Sequence, residues 1–224
     1  SAKLGISCYF IAGIVTFTKM SEQKGTVIKS TGSRYTVLGD SGKVTVCVIR
    51  GTFRLKGIDT TNPVAVGDRA FFERLPDGTG IITSLEERKN YIIRRSKKLS
   101  SQCHIIAANI DRAFLVVTLV LPRTSTGFID RFLATAEAYR IPVTLLFNKA
   151  DLYEEELENY YNELSSAYEA LGYPCMKVSA FRDKDVQRLK DMLASGVNLL
   201  SGHSGTGKST LLRVLAGFAQ PQAG

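Results

Sequence analysis

The first part of the chain alternates short β-branched stretches with turns built from glycine, serine and aspartate. Alternation with a period of two predicts half-buried strands, and the small polar residues between them predict turns. Strands are predicted at 26–30, 34–38, 43–49, 69–74 and 80–85. Short strands without a helical period favour a small barrel, with the five-stranded OB-fold as the leading candidate and an SH3-like barrel as the alternative.

The second part of the chain alternates continuous apolar stretches with segments of helical spacing. A continuous apolar run predicts a strand buried on both faces of a parallel sheet, and apolar residues three and four positions apart predict helices between such strands. Strands are predicted at 113–119, 143–147, 175–178 and 197–200, and helices at 129–139, 157–171, 183–193 and from Lys208 onward. This alternation predicts an α/β domain with a mainly parallel sheet.

A phosphate-loop pattern, G-x-x-x-x-G-K-[ST], lies between the last predicted strand and the last predicted helix. Its residues are Gly202, His203, Ser204, Gly205, Thr206, Gly207, Lys208 and Ser209, followed by Thr210. Glycine is needed because backbone N–H groups close around phosphate oxygens and a Cβ would obstruct them. The pattern predicts that Lys208 reaches the β- and γ-phosphates and that Ser209 binds Mg²⁺.

A second candidate site motif, N-K-x-D, directly follows the strand predicted at 143–147 and consists of Asn148, Lys149, Ala150 and Asp151. Ligands of open α/β sheets bind beyond the carboxyl ends of the strands. The Asp151 carboxylate can accept hydrogen bonds from the N1–H and exocyclic amino group of guanine, which adenine does not present there, so the motif predicts rejection of ATP. A polar loop in which Asp151 caps a helix is the alternative.

Ser179 and Ala180 follow the next predicted strand and match a third element of G proteins, a loop whose backbone N–H contacts the base carbonyl. Ordinary GTPases present the phosphate loop first and the base-reading N-K-x-D later. Here Asn148 precedes Gly202, so the order is reversed.

This reversed order behind a small barrel resembles the circularly permuted GTPases of ribosome assembly, the RsgA (YjeQ) family. Further supporting stretches are Arg-Lys-Asn-Tyr at 88–91, Ala-Ala-Asn-Ile-Asp at 107–111 and Ile-Asp-Arg-Phe-Leu at 129–133. The resemblance covers residues 24–212.

The resemblance implies an OB-fold that contacts 16S rRNA, a GTPase stimulated by the 30S subunit, and a role in late small-subunit maturation in the cytoplasm. It implies GTP or GDP with Mg²⁺, and Zn²⁺ only in a C-terminal domain of the complete family protein. Carried over residue by residue, Lys208 and Ser209 are the expected catalytic contributors, through the transition state and Mg²⁺. The implied GTP-binding residues are those of the three motifs above, from Asn148 to Asp151, Ser179 with Ala180, and Gly202 to Thr210.

The net charge of +8 favours a polyanionic partner, and the basic excess is local. The residues predicted to bind RNA are Arg88, Lys89, Arg94, Arg95, Lys97 and Lys98, a run without acidic residues. Lysine and arginine neutralise phosphates and release counterions. A solvated basic linker is the alternative for this run.

Neither a membrane span nor a disulfide framework is predicted. The apolar run at 6–17 is shorter than the roughly 18 residues that a membrane helix needs. The four cysteines are widely separated and form no C-x-x-C pair, which favours a reducing cytosol. A monomer is expected.

The chain departs from the family pattern after the phosphate loop, since the switch threonine, the D-x-x-G element and the zinc cluster do not appear before Gly224. A partial GTPase domain is therefore expected, with the phosphate-loop strand at a sheet edge. Residues 211–217 resemble the helix of an ATP-binding cassette. The competing hypotheses are a cassette-type ATPase and an RNA-binding module with a vestigial nucleotide site.

Four segments are predicted along the chain. They are a leader segment at 1–23, an OB-fold RNA-binding domain at 24–87, a basic linker at 88–104 and the permuted GTPase domain at 105–224.

Overall fold

The computed structural model describes residues 6–11, 14–19, 22–49, 63–95 and 103–218. The chain divides into two compact units, Ser1–Asn109 and Ile110–Gly224.

The first unit contains a closed five-stranded barrel in which neighbouring strands follow the order β3-β4-β5-β7-β6. Two antiparallel strands, β1 (Ile6–Ile11) and β2 (Ile14–Lys19), precede it within the segment predicted as a leader. The barrel strands are β3 (Glu22–Thr31), β4 (Arg34–Gly39), β5 (Val44–Ile49), β6 (Arg69–Arg74) and β7 (Gly80–Leu85). All pairs are antiparallel except β5 with β7, which closes the barrel in the manner of an OB-fold. The predicted barrel is confirmed.

Alternation along these strands explains the barrel core. On β4 the side chains of Tyr35 and Val37 point inward, while Arg34 and Leu38 are exposed. The inward residues of all five strands form one apolar cluster that includes Val27, Cys47, Phe72 and Ile82. Burial raises the pKa of the Cys47 thiol to about 11, so this thiol is a core group with little thiolate character.

The basic segment predicted as a linker contains regular structure. Strand β8 (Tyr91–Arg95) pairs antiparallel with β9 (Cys103–Ala108), which lies in the first unit. The division between the units follows Asn109, whereas the GTPase domain was predicted to start at residue 105. Strand pairing explains the position of this division. Strand β9 is hydrogen-bonded to β8, and a β-bridge joins its Ala107 to Val66, which lies just before β6.

The second unit is a four-stranded parallel sheet with the order β12-β11-β10-β13. Its strands are β10 (Arg112–Val117), β11 (Val143–Phe147), β12 (Cys175–Lys177) and β13 (Asn198–Ser201). Its helices are α1 (Thr126–Ala138), α2 (Glu155–Ala170), α3 (Asp183–Leu193) and α4 (Lys208–Leu215). The predicted α/β domain is confirmed, and β13 lies at an edge of the described sheet as expected.

Helices cover both faces of this sheet, which is why its central strands are apolar throughout. One core cluster joins Val116 and Leu146 to Leu189 of α3 and Leu211 of α4. On the opposite face Phe147 meets Tyr161 of α2 edge to face. The Tyr168 hydroxyl of α2 donates to Asp130 of α1 at 2.8 Å, so α1 and α2 share that face.

Candidate functional site

Loops carrying the predicted site residues meet at one edge of the second unit. Since all four strands are parallel, their carboxyl ends lie on the same side. Asn148 follows β11, Ser179 lies just beyond β12, and Gly202 follows β13. This edge is the position at which open α/β sheets bind ligands.

The glycine-rich loop between β13 and α4 depends on glycine at two close approaches. Gly202 has a φ of 144°, and a Cβ there would collide with the Val116 carbonyl oxygen of β10. Gly207 has a φ of 88°, and a Cβ there would collide with the Asn148 amide nitrogen. The backbone of the loop therefore lies directly against the sheet and against the N-K-x-D segment.

Inside the loop, Thr206 is fully buried and its hydroxyl donates to the His203 carbonyl at 2.9 Å. The His203 ring lies against Phe128 of α1, with ring centroids 3.8 Å apart. Ser204 and Gly205 are exposed at the tip of the loop, and Ser209 and Thr210 are exposed in the first turn of α4. A helix start of this kind presents backbone N–H groups that favour an anion.

Lys208 folds back over the loop that precedes it. Its ammonium group donates to the His203 carbonyl and lies 3.5 Å from the Thr206 hydroxyl. Desolvation by burial lowers the pKa of Lys208, because a partly buried ammonium group has lost hydration without gaining a negative partner. An anion in the loop would supply that partner.

Asn148 joins the two motifs that the sequence separates. The side-chain amide of Asn148 donates to the Thr206 carbonyl at 2.8 Å, and Asn148 is only 3% exposed. The Asn148 Oδ1 atom is buried and has no hydrogen-bond partner among the described residues. A buried acceptor left in this state costs free energy, and such an atom at a strand end is suited to a ligand donor or a bound water.

Lys149 and Ala150 continue the same segment. Lys149 adopts the left-handed conformation, with a φ of 62°, and its ammonium group donates to the Leu121 carbonyl. The Ala150 N–H donates to the Val178 carbonyl at 3.1 Å. The N-K-x-D segment is thus tied to the loops after β10 and β12.

The Asp151 carboxylate is exposed and has an oriented partner. The Ser179 hydroxyl donates to Asp151 Oδ1 at 2.5 Å, and Ser179 itself is fully buried. The Ser179 N–H donates to the Asp185 carboxylate at 3.0 Å. The Ser179 N–H is therefore already engaged within the second unit.

Two parts of the site have no counterpart in the sequence motifs. The loop after β10 supplies the Leu121 carbonyl that Lys149 contacts, and Pro122 lies beside Gly205. Its location after a buried strand was the available signal, because every strand of the sheet ends at this edge. Asp185 of α3 carried no signal, since it belongs to a polar helix segment without a motif.

Arg88, one of the residues predicted to bind RNA, is paired inside the first unit. Its guanidinium group donates to both oxygens of Asp68 at 2.7 Å and to the Pro63 carbonyl at 3.1 Å. Its side chain is 7% exposed and that of Asp68 is 1% exposed. The guanidinium is therefore engaged inside the first unit, where it has a structural role, and its contact with RNA phosphate stays a prediction.

Asn109 completes this buried group at the base of the β8–β9 pair. Its side chain accepts from the Lys89 N–H and donates to the Gly67 carbonyl, each at 3.0 Å. Its φ of 52° is left-handed, a conformation that asparagine tolerates better than most residues. Arg88, Asp68 and Asn109 together fasten the basic strand pair to the barrel segment.

The structure describes the remaining residues predicted to bind RNA to different extents. Lys89 is exposed, and Arg94 and Arg95 belong to β8, where only their backbone is described. Lys97 and Lys98 lie outside the described residues. Among the described residues, no helix is long and apolar enough to cross a membrane, and no group of three metal-ligating side chains converges.

Comparison with known families gives two matches that together span both units. A family model described as RsgA GTPase matches residues 85–223, and one described as RsgA N-terminal domain matches residues 24–82.

Curated relatives share the same description. The small ribosomal subunit biogenesis GTPase RsgA of Bacteroides fragilis is 55% identical over 192 residues, which cover 86% of this chain and 62% of the relative. The protein of the same name from Porphyromonas gingivalis is 50% identical over 204 residues, covering 89% and 64%. The chain thus spans less than two thirds of the length of these relatives.

Solved structures agree with the fold. YjeQ from Thermotoga maritima has a TM-score of 0.74 and 32% identity, covering 89% of this chain and 67% of that one. YloQ, described as a circularly permuted GTPase, has a TM-score of 0.67 and 32% identity, covering 86% and 63%. The reversed motif order inferred from the sequence matches that description.

Proposed function

The chain belongs to the RsgA GTPase family, and from that premise we propose that the carboxyl edge of its parallel sheet binds GTP and GDP. The observation that carries this proposal is the hydrogen bond from the Asn148 amide to the Thr206 carbonyl. It joins the base-reading segment to the phosphate loop, so that one nucleotide can span both.

The phosphates would lie in the loop from Gly202 to Thr210. Its glycines admit a close approach of the backbone, and Lys208 would exchange the His203 carbonyl for phosphate oxygens. The exposed hydroxyl of Ser209, next to Lys208 at the start of α4, suits Mg²⁺, which prefers oxygen ligands and substrate phosphates. When bound, the metal neutralises phosphate charge.

Guanine would be recognised by Asp151, which can accept from the N1–H and the exocyclic amino group. Its Ser179 partner occupies part of one carboxylate oxygen and leaves lone pairs for the base. Adenine would leave this carboxylate without donors, which disfavours ATP. Guanine recognition by Asp151 therefore favours the GTPase over the cassette-type ATPase suggested by residues 211–217.

The reaction proposed for the whole protein is hydrolysis of GTP to GDP and phosphate, as the family name states. Phosphoryl transfer depends on positioning and on charge stabilisation. Within this chain, Lys208 would stabilise charge on the transferring phosphoryl group, and Ser209 would hold Mg²⁺.

The proposed partner is the small ribosomal subunit, since the relatives are named for its biogenesis. We place the contact with 16S rRNA on the barrel and on the basic residues Lys89, Arg94, Arg95, Lys97 and Lys98. A cytoplasmic monomer acting late in maturation of the 30S subunit is the corresponding cellular form.

Titration of the chain with a fluorescent GDP analogue tests the nucleotide site. Saturable binding that GTP reverses and an excess of ATP does not is the expected result. Equal displacement by ATP would favour the cassette-type ATPase, and no saturable binding at micromolar protein would favour a vestigial site.

Titration with 16S rRNA fragments at several salt concentrations tests the RNA contact. Affinity should fall as salt rises, because phosphate neutralisation releases counterions. An affinity independent of salt would contradict a contact made through the basic residues.

A further inference from the structure

A chain of hydrogen bonds connects α3 to the Asp151 carboxylate. Asp185 accepts the Ser179 N–H at 3.0 Å, and the Ser179 hydroxyl donates to Asp151 at 2.5 Å. The same hydroxyl accepts the Phe181 N–H at 3.1 Å. Ser179 therefore has a partner for its backbone donor, its hydroxyl proton and its hydroxyl oxygen.

This arrangement orients the hydroxyl proton. A serine hydroxyl has one proton, and the Phe181 N–H occupies an acceptor position on its oxygen. The proton is directed at Asp151, where it can hold one carboxylate oxygen in place. Because Ser179 is fully buried, loss of any of these partners leaves a polar group that water cannot easily satisfy.

Asp185 is held by a rigid element. Its neighbour Val186 and the following Leu189 are buried, and Leu189 belongs to the core cluster beneath the sheet. The carboxylate of Asp185 is consequently fixed relative to the strand ends. Arg182, at the start of the same helix, adds a second tie by donating to the Ala150 carbonyl at 3.3 Å.

We propose that Asp185 is a positioning residue for guanine selectivity, acting through Ser179 on the orientation of Asp151. The inference rests on the proposed nucleotide site and names a determinant of its base preference. Without Asp185, the Ser179 N–H would seek another acceptor and the loop after β12 would shift. Guanine would lose more than hypoxanthine, because Asp151 serves two donors of guanine and only the N1–H of hypoxanthine.

Calorimetric titration of the full chain with GDP and with inosine diphosphate tests this role. Asp185→Ala should lower GDP affinity by about tenfold and the preference for GDP over inosine diphosphate by a few-fold, the loss of roughly one hydrogen bond. Asp185→Asn retains an acceptor oxygen and should keep most of the preference. Asp183→Ala is the matched control, since Asp183 lies exposed in the same helical turn and carries the same charge.

A double-mutant cycle separates action through Ser179 from a general loss of structure. In a Ser179→Ala background, whose hydroxyl can no longer hold Asp151, Asp185→Ala should change the preference little further. If the alanine variant does not fold, Asp185→Glu, which displaces the carboxylate by one methylene, should lower the preference instead.

Different results would contradict the nucleotide site and the role of Asp185. No saturable GDP binding by the unaltered chain would overturn the proposed site and this inference with it. Normal GDP binding with an unchanged preference in Asp185→Ala, or an equal effect from Asp183→Ala, would overturn only the role of Asp185.

Discussion

Two polar clusters, one in each unit, satisfy their hydrogen-bonding groups to different degrees. In the first unit, Arg88 and Asp68 form a doubly hydrogen-bonded ion pair, and Asp68 also accepts the Ala65 N–H. Asn109 uses both its amide oxygen and its amide nitrogen. In the second unit and among the described residues, the buried Asn148 Oδ1 atom has no hydrogen-bond partner and the Lys208 ammonium group has no anionic partner.

This difference distinguishes a structural cluster from the proposed nucleotide-binding site. A buried ion pair contributes little net stability compared with apolar packing, and in some proteins its use is to select one geometry. We infer that use for Arg88 and Asp68, which hold the base of the β8–β9 pair. Polar groups left incomplete at the ends of parallel strands have the opposite meaning, since a ligand can complete them.

Breaking the ion pair between Arg88 and Asp68 should have the largest effect on stability. Arg88→Leu leaves the Asp68 carboxylate buried without its cation, and the free energy of unfolding of the first unit should fall by about 3–5 kcal/mol. Urea unfolding followed by far-ultraviolet circular dichroism measures this, since the chain has no tryptophan. Arg34→Leu, at an exposed arginine of β4, is the control and should change stability by less than about 0.5 kcal/mol.

Removing the ammonium group of Lys208 should weaken nucleotide binding and leave the free energy of unfolding unchanged. Lys208→Ala should weaken GDP binding by about 1.5–3 kcal/mol, the contribution of a hydrogen bond to a charged group. Titration with the fluorescent GDP analogue gives the affinity, and the unfolding curve provides the control. A variant that loses stability but keeps its affinity would reverse the distinction between the two clusters.

Altering the carboxylate of Asp151, the residue proposed to recognise guanine, should change the choice of nucleotide. Asp151→Asn replaces an acceptor with an amide that can donate to the C2 carbonyl of xanthine. GDP affinity should fall about tenfold or more, and xanthosine diphosphate should become the better ligand. Competition titrations with both nucleotides measure the ratio. An unchanged order of preference would contradict base recognition by Asp151.

The pH dependence of binding should report on Lys208. Burial lowers its pKa in the free protein, and a bound phosphate would raise it again by favouring the ammonium form. GDP affinity should therefore be constant below the free-state pKa and fall as pH rises through it. Titrations from neutral to alkaline pH in Lys208→Ala should lack this decline, and its persistence there would assign it to another group.

The smallest expected effect concerns Lys89, the exposed basic residue that follows Arg88. Lys89→Ala should reduce the slope of log affinity for single-stranded RNA against log salt by about 0.7, the value for one lost phosphate contact. Asn109 accepts from the backbone N–H of Lys89, so the substitution should not loosen the β8–β9 pair. An unchanged slope with unchanged stability would remove Lys89 from the RNA contact.

The barrel strands and the elements of the parallel sheet followed directly from local pattern, whereas β1, β2, β8 and β9 were not predicted. The bounds of β6, β7, β11 and α3 agree with the periodicity of the sequence. The motif order also predicted the permuted fold, because each motif follows a strand of the same parallel sheet. The β8–β9 pair within the segment predicted as a basic linker was not predicted, since its strands pair with each other across several intervening residues.

The sequence alone determined which residue types meet at the strand ends, because parallel strands bring their carboxyl ends to one edge whatever the details of packing. Tertiary structure alone decided how each charge is used. Arg88 and Lys208 are both basic. The guanidinium group of Arg88 forms an ion pair with Asp68, whereas the ammonium group of Lys208 donates a hydrogen bond to the His203 carbonyl. Electrostatic role depends on distances between residues remote in the chain, and periodicity carries no information about those distances.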